Sequence, residues 1–217
     1  MKILVLGSSG NFGSALTIYL KKNSHQVSGM ERGEKIPAPL DEFDACFLAI
    51  PLKEAIEFLE THSHDKVIEI CSVKTPMTKF RNRVISIHPM FGPGSIGNPD
   101  FRNIIYVDDI SPPNSMGIIE ELFPDFFIES MSADEHDKLM VELLVKPYLT
   151  SILAAAISKP VQWKTTCTSH KAFQKLASIS ANESRLVLND TIRHNPYSKR
   201  ALDELQEGLA ILMKEME

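Results

Sequence analysis

The chain has 217 residues, of which 43% are hydrophobic and 24% are charged, and its net charge at neutral pH is −5. This composition is typical of a soluble globular protein of one or two domains. The negative charge argues against a nucleic-acid binder or a ligand of acidic membranes. The N-terminus lacks the n-region, long apolar core and cleavage site of a signal peptide, so we expect none. We find no apolar stretch of about 18 residues, so we expect no membrane span. The three cysteines lack metal-ligand spacing, so we expect reduced thiols, no metal site and a cytoplasmic location.

Strand and helix patterns alternate through the first 130 residues. Short apolar runs rich in β-branched residues predict strands, and amphipathic stretches between them predict helices. The predicted strands are 2–6, 27–30, 45–50, 66–70, 84–87, 104–107 and 126–130, and the predicted helices are 11–22, 52–59 and 116–122. This alternation predicts an α/β fold with a mostly parallel sheet and right-handed crossovers.

From Ser132 onwards the sequence predicts helices only. Ser132 and Glu135 have the spacing of a capping box that begins a long helix towards Ile157. Further helical patterns cover 171–181, 183–193 and 198–216. We therefore predict two domains, 1–130 and 131–217. The small all-helical domain has more apolar surface than it can bury alone, so we expect it to form a homodimer with a second copy.

The first predicted strand leads into a glycine-rich loop, Gly7-Ser-Ser-Gly-Asn-Phe-Gly13. Between a strand and a helix, such a loop is typical of the Rossmann-type doubly wound fold. Its glycines allow a tight turn, a close approach to a pyrophosphate and close helix–strand packing. The helix N-terminus adds free N–H groups for the phosphates. A tight turn without a ligand is the alternative. The predicted cofactor-binding residues here are Gly7, Ser9, Gly10, Asn11, Phe12 and Gly13.

Glu31 and Arg32 follow the second predicted strand, and Glu31 lies 18 residues after Gly13. An acidic residue about 20 residues beyond the loop binds the adenosine ribose hydroxyls and favours NAD, whereas an arginine there can accommodate NADP. We expect NAD, with NADP as the alternative. A solvated pair of loop charges is the interpretation without a ligand.

Two further strand ends fall where cofactor contacts are expected. Ile50 ends the third predicted strand and Pro51 follows it, and Ser72 and Lys74 follow the fourth strand. The carboxyl ends of parallel strands border the ligand crevice of an open α/β sheet. A serine and a lysine there could bind a nicotinamide, a substrate or a neighbouring histidine, although polar residues in such loops are usually only loop residues.

His88 ends the fifth predicted strand and is followed at once by Pro89. Proline fixes its own φ and pushes the preceding residue towards extended geometry, so the imidazole is held on a stiff backbone. A histidine titrates near neutral pH and can accept a proton from a substrate hydroxyl. The alternative is a capping or core histidine in a loop rich in proline and glycine.

Together these motifs resemble the prephenate/arogenate dehydrogenase family. The similar segments occur in the family's order over nearly the whole chain: the glycine loop, Ser72-Val-Lys74, His88-Pro-Met-Phe-Gly-Pro93, Ser132-Ala-Asp-Glu-His-Asp137 and Asn195-Pro-Tyr197. The resemblance implies a Rossmann domain followed by a helical dimerisation domain. It also implies NAD(P)-dependent oxidation of prephenate or arogenate with loss of carbon dioxide, in tyrosine biosynthesis. His88 would then be the catalytic base, and Ser72 would assist both the histidine and the nicotinamide.

The helical part departs from the family pattern. Ser178 stands where the family places an arginine for a substrate carboxylate; Lys171, Lys175 or Arg185 could replace it, but none matches the motif. Pro147 is expected to kink or break the long helix. These departures keep two alternatives open: a related Rossmann dehydrogenase acting on another small acid, and a non-catalytic NAD(H)-binding dimer. For His136 and Asp137 we expect a structural role.

Overall fold

The structure, a computed structural model, describes residues 1–31, 33–34, 39–62, 66–159 and 165–217. The strands are β1 (Lys2–Leu6), β2 (Gln26–Met30), β3 (Ala45–Leu48), β4 (Val67–Glu69), β5 (Ile85–Pro89), β6 (Asn103–Val107) and β7 (Phe127–Met131). The α-helices are α1 (Asn11–Lys22), α2 (Leu52–Thr61), α3 (Met116–Leu122), α4 (Ala133–Met140), α5 (Lys146–Ile157), α6 (Thr168–Asn182), α7 (Arg185–His194) and α8 (Ser198–Glu215). Short 3₁₀ helices cover Leu40–Glu42, Thr75–Phe80 and Pro99–Phe101.

Within the described residues the seven strands form one sheet in the order β2-β1-β3-β4-β5-β6-β7. Every neighbouring pair is parallel except β5 and β6, which are antiparallel. The strand order reverses between β1 and β3, and this switch point is where open α/β sheets bind ligands. The predicted class, a mostly parallel Rossmann-type sheet followed by helices, is confirmed.

The central strands are buried because their sequences are continuously apolar. The core residues of β1, β3 and β4 have almost no exposed surface, as expected for strands covered by helices on both faces. Aromatic side chains extend this core between α1 and α3, where the ring of Tyr19 stacks on Phe123 and meets the edge of Phe126. This packing holds α1, and therefore the loop before it, against the sheet.

The predicted capping box is present at the start of α4. The Ser132 backbone N–H donates to the Glu135 carboxylate at 2.9 Å, and the Glu135 N–H donates to the Ser132 hydroxyl at 3.3 Å.

Pro147 does not break the long helix, although a kink or a break was expected there. It occupies the first turn of α5, directly after a π-helical segment, Val141–Val145. A proline is tolerated there because the wider turn changes which backbone groups need partners.

The described chain divides into two compact units, Met1–His136 and Asp137–Glu217. The division falls within α4. Together with the π-helical segment and α5, α4 forms one continuous helix, Ala133–Ile157.

By length and composition this 25-residue helix could cross a membrane. The expectation that no 18-residue stretch is this apolar was therefore wrong, because a window of the predicted long helix meets the criteria, whereas the absence of a membrane span stays a prediction. The core helix of a soluble protein meets the same criteria.

Candidate active site

Two glycines of the loop after β1 are required by the geometry. Gly7 has φ +81°, and a Cβ there would lie 2.3 Å from the carbonyl oxygen of Ala49. A Cβ on Gly13 would lie 2.0 Å from the carbonyl oxygen of Gly7. Gly10 is less constrained, since its nearest neighbour would be that same oxygen at 3.2 Å. The loop thus folds tightly on itself and against the end of β3, at the switch point of the sheet.

Helix α1 begins immediately after Gly10, which is its N-cap residue in an extended conformation. No side chain of the described residues caps this end, and the first turn contains no acidic residue. Asn11, Phe12 and Gly13 therefore present backbone N–H groups at the positive end of the helix dipole. Such an end suits the phosphates of a dinucleotide.

Glu31 reaches from the end of β2 into this loop. Its Oε1 accepts hydrogen bonds from the Ser8 hydroxyl at 2.6 Å and from the Ser9 N–H at 2.7 Å, and its Oε2 accepts one from the Ser9 hydroxyl. The hydroxyls of Ser8 and then Ser9 lower the pKa of Glu31 by stabilising its charged form. Glu31 is thus an anionic acceptor next to the glycine loop, whereas Arg32 lies outside the described residues.

Ile50 and Pro51 adjoin the same loop from β3. The Ile50 Cγ2 atom would be 3.0 Å from a Cβ on Gly7, and Pro51 is the N-cap residue of α2. Both residues are half-buried. The structure therefore brings together the ends of β1 and β3, as the sequence predicts, although cofactor binding by these residues stays a prediction.

Lys74 lies inside the protein, and its surroundings explain how a buried ammonium is accommodated. Both Lys74 and Glu69 are 0% exposed, and Lys74 Nζ lies 2.7 Å from Glu69 Oε1 and 2.7 Å from the carbonyl oxygen of Ile87. The Ser86 hydroxyl donates to Glu69 Oε1, and the Cys71 N–H donates to Oε2 at 2.8 Å. Since Ile87 precedes His88, this network ties the end of β4 to the backbone that carries His88.

Ser72 lies between Glu69 and Lys74 in the chain, in the turn that follows β4, and is half-buried. The hydrogen bonds of the described residues do not link its hydroxyl to His88. Its predicted assisting role therefore stays a prediction.

His88 lies near the end of β5, 5% exposed, with one ring nitrogen engaged. Its Nδ1 is 2.9 Å from Nε2 of His136, which is 0% exposed. Among the described residues, none makes a hydrogen bond to His88 Nε2. Burial, then His136, then the Lys74 charge hold the pKa of His88 well below its ordinary value. The imidazole is therefore neutral at neutral pH and able to accept a proton.

His136 contacts His88, and sequence reasoning did not predict this contact. It lies 48 residues from His88 in the chain, at the first turns of α4, and we expected only a structural role for it. The sequence signal that could have indicated this contact is the histidine in the segment Ser132-Ala-Asp-Glu-His-Asp137, because this segment directly follows β7 of the same sheet. Within the described residues no group of three or more His, Cys, Asp or Glu side chains could hold a metal ion.

In the helical unit, the position where an arginine was expected carries a short side chain. Ser178 lies on α6, and its hydroxyl donates to the carbonyl oxygen of Lys175 at 2.8 Å. An open groove of about 450 Å³ between α5 and α6 includes Ser178 and Lys159 in its lining. The three basic residues considered as replacements, Lys171, Lys175 and Arg185, are exposed.

Tyr148 and Asn195 are buried in the same unit. The Tyr148 hydroxyl donates to Glu183 at 3.1 Å, and burial raises its pKa, with Glu183 adding to the effect. The Asn195 amide donates to the carbonyl oxygen of Asp137 at 2.7 Å, and its own oxygen accepts from the Tyr197 N–H. The motif Asn195-Pro-Tyr197 therefore secures the turn before α8 to the helix that follows His136.

The sheet order and the glycine loop define a Rossmann-type α/β protein followed by helices. More particularly, the chain has the fold of prephenate and arogenate dehydrogenases. Over 100% of this chain and 91% of the other, it is similar to prephenate dehydrogenase from A. aeolicus in complex with hydroxyphenyl propionate and NAD⁺, with a TM-score of 0.74 and 15% identity. Synechocystis arogenate dehydrogenase gives a TM-score of 0.70 at 16% identity, over 100% of this chain and 92% of the other.

The same fold also extends to a different class of enzyme. An imine reductase from Aspergillus terreus, in complex with NADPH4 and dibenz[c,e]azepine, is similar over 83% of this chain and 72% of its own, with a TM-score of 0.53 and 13% identity. No family model and no curated protein matches the sequence.

Proposed function

We propose that this protein is an NAD-dependent dehydrogenase that oxidises prephenate or arogenate with loss of carbon dioxide. The observation that carries the proposal is the His88 imidazole, which is neutral, bound through Nδ1 to His136 and without a described partner at Nε2. This arrangement suits a base that accepts the proton of a substrate hydroxyl. The likeness of fold to enzymes of this activity supports the choice of reaction.

The cofactor would bind at the end of β1. The backbone N–H groups at the start of α1 would hold the pyrophosphate, and Glu31 would accept hydrogen bonds from the adenosine ribose. The Ser9 N–H donates to the Glu31 carboxylate, so a 2′-phosphate bound here would lie close to this negative charge. Repulsion between the two anions would favour NAD over NADP. When bound, NAD⁺ supplies the hydride acceptor.

The residues of this chain then have separate tasks. His88 Nε2 takes the hydroxyl proton, and the electron pair of the broken O–H bond becomes part of the new carbonyl. Loss of carbon dioxide follows because the ring becomes aromatic. Lys74 and Glu69 hold the strand end that carries His88, and Ser72 is proposed to assist at the nicotinamide.

A second candidate is a dehydrogenase of the same kind acting on another small acid. The position of Ser178 favours it, because a hydroxyl cannot pair with a carboxylate as a guanidinium does. The fold itself serves more than one chemistry, as the imine reductase shows. A non-catalytic NAD(H)-binding protein would share the glycine loop but would have no need of a proton acceptor at His88.

The helical unit exposes large apolar side chains that a second copy of the chain would cover. Those on α8 and at its C-cap position are 46–80% exposed: Leu202, Leu209, Ile211, Leu212, Met213 and Met216. Exposed apolar surface of this kind is typical of protein–protein interfaces. We propose a homodimer through this unit, which light scattering tests directly; a stable monomer at micromolar concentration would contradict it.

The reaction is tested by following NADH formation with prephenate, with arogenate and with a panel of 2-hydroxy acids. We expect turnover with one of the two cyclohexadienyl acids and little with the panel. Turnover with another acid alone would favour the second candidate. Tight NAD binding without turnover on any of them would overturn the proposal of an enzyme.

A further inference from the structure

The contact between His88 and His136 joins two buried imidazoles through a single hydrogen bond. His88 Nδ1 and His136 Nε2 are 2.9 Å apart, and the ring centroids are 5.0 Å apart with the planes tilted by 59°. One hydrogen lies between two nitrogens, so either ring can be the donor. The choice of donor decides which ring nitrogen of neutral His88 carries its single hydrogen.

The two arrangements differ in their chemistry at His88 Nε2. If His136 donates, His88 Nδ1 is an acceptor, and neutral His88 carries its hydrogen on Nε2, where it cannot accept a proton. If His88 donates from Nδ1, its Nε2 has a free lone pair. In both cases His88 is neutral at neutral pH, since burial, His136 and Lys74 all oppose its charged form.

We propose that His136 is the positioning residue for His88: its Nε2 accepts the hydrogen of His88 Nδ1, and this fixes both the ring orientation and the tautomer with Nε2 free. Two observations carry the inference. His136 is 0% exposed and is held on α4 by the capping box at Ser132 and Glu135, so its ring has a defined place. Lys74 Nζ binds the carbonyl oxygen of Ile87, the residue directly before His88, at 2.7 Å.

The inference rests on the proposed function only for its consequence in catalysis. The tautomer itself is a property of the protein without substrate or cofactor. A ring nitrogen without hydrogen and one with hydrogen differ strongly in ¹⁵N chemical shift, so the state of His88 can be read directly. The His88→Asn variant identifies which signals belong to His88.

Two substitutions at His136 separate acceptance of a hydrogen bond from filling of space. In His136→Gln, the amide oxygen can accept from His88 Nδ1, whereas His136→Phe keeps a ring but has no acceptor. His194→Asn is the matched control, since His194 is 51% exposed at the end of α7.

We expect wild-type His88 to carry its hydrogen on Nδ1, His136→Gln to keep this tautomer, and His136→Phe to show a mixture. In turnover, kcat is expected to stay within about tenfold of wild type in His136→Gln and to fall about 100-fold in His136→Phe, with the NAD Kd unchanged. Hydrogen on Nε2 of wild-type His88 would overturn the proposal, as would a His136→Phe protein with the wild-type tautomer. If no substrate is turned over, the ¹⁵N spectra still decide the proposal, so its failure is distinguishable from failure of the proposed function.

Discussion

Lys74 Nζ and Glu69 Oε1 lie 2.7 Å apart in the interior of the sheet unit, and neither side chain has exposed surface. Removing one member of such a pair leaves an uncompensated buried charge, which costs about 3–5 kcal/mol. We expect Lys74→Met and Glu69→Gln each to lower the free energy of unfolding by about this amount in urea titrations. The double variant Glu69→Gln/Lys74→Met should lose less than the sum of the two single variants, because neither member of the charged pair remains. Single-variant losses below about 1 kcal/mol would show that the pair is not a buried ion pair in solution.

Alanine should be tolerated much less well at Gly13 of the glycine loop than at Gly117 of α3. Gly13→Ala places a Cβ at the carbonyl oxygen of Gly7 and should destabilise the protein by about 3 kcal/mol and weaken NAD binding. Gly117→Ala in α3 meets nothing within 4 Å and should stay within about 1 kcal/mol of wild type. Thermal unfolding and NAD titration of both variants provide the check. Equal effects of the two changes would contradict the tight fold of the loop.

Cofactor preference should depend on Glu31. Replacing it by serine removes the carboxylate that binds Ser8 and Ser9, so a 2′-phosphate is no longer repelled. We expect Glu31→Ser to raise the ratio of kcat/KM for NADP over NAD by about tenfold or more, equivalent to about 1.4 kcal/mol. Glu57→Ala is the control, since Glu57 is an exposed carboxylate on α2. An unchanged ratio in Glu31→Ser would place the adenosine ribose elsewhere.

The lowered pKa of His88 sets the sign of a pH effect on stability. Below its ordinary value of 6.5 the unfolded chain protonates His88 while the folded protein does not. The unfolded state then binds more protons, so stability falls as the pH drops below about 6.5, by at most about 1.4 kcal/mol per pH unit for this one group. We expect His88→Asn to lose less stability than wild type between pH 7.5 and 5.5 in urea titrations. Identical losses would mean that His88 is solvated.

Much of the fold follows from local patterns. The limits of β1, α1 and α3 match the predictions because apolar periodicity and the glycine loop define them within the segment itself. The antiparallel pairing of β5 and β6 does not follow from either strand, since its direction depends on how the chain crosses the sheet. The long helix towards Ile157 was predicted, but its continuity through Pro147 was not, because a π-helical turn has no clear sequence signal.

Local patterns likewise predict some residues of the candidate site and miss the contacts between others. The glycine loop and His88 were predicted from residue type and position at strand ends. Lys74 follows β4 as predicted, but its complete burial was not predicted, because a lysine is seldom fully buried and only its contacts with Glu69 and Ile87 explain it. The capping box predicts where α4 begins, but the pairing of His88 with His136 is a contact between residues 48 apart in the chain, which no local pattern specifies.

The central claim is that His88 is the proton acceptor of a dehydrogenase. The most direct measurement is kcat of His88→Asn with the preferred cyclohexadienyl acid, together with the NAD Kd of the same preparation. We predict that kcat falls by about 10²–10⁴-fold while the NAD Kd stays close to that of wild type. A variant with near-normal turnover would contradict the account.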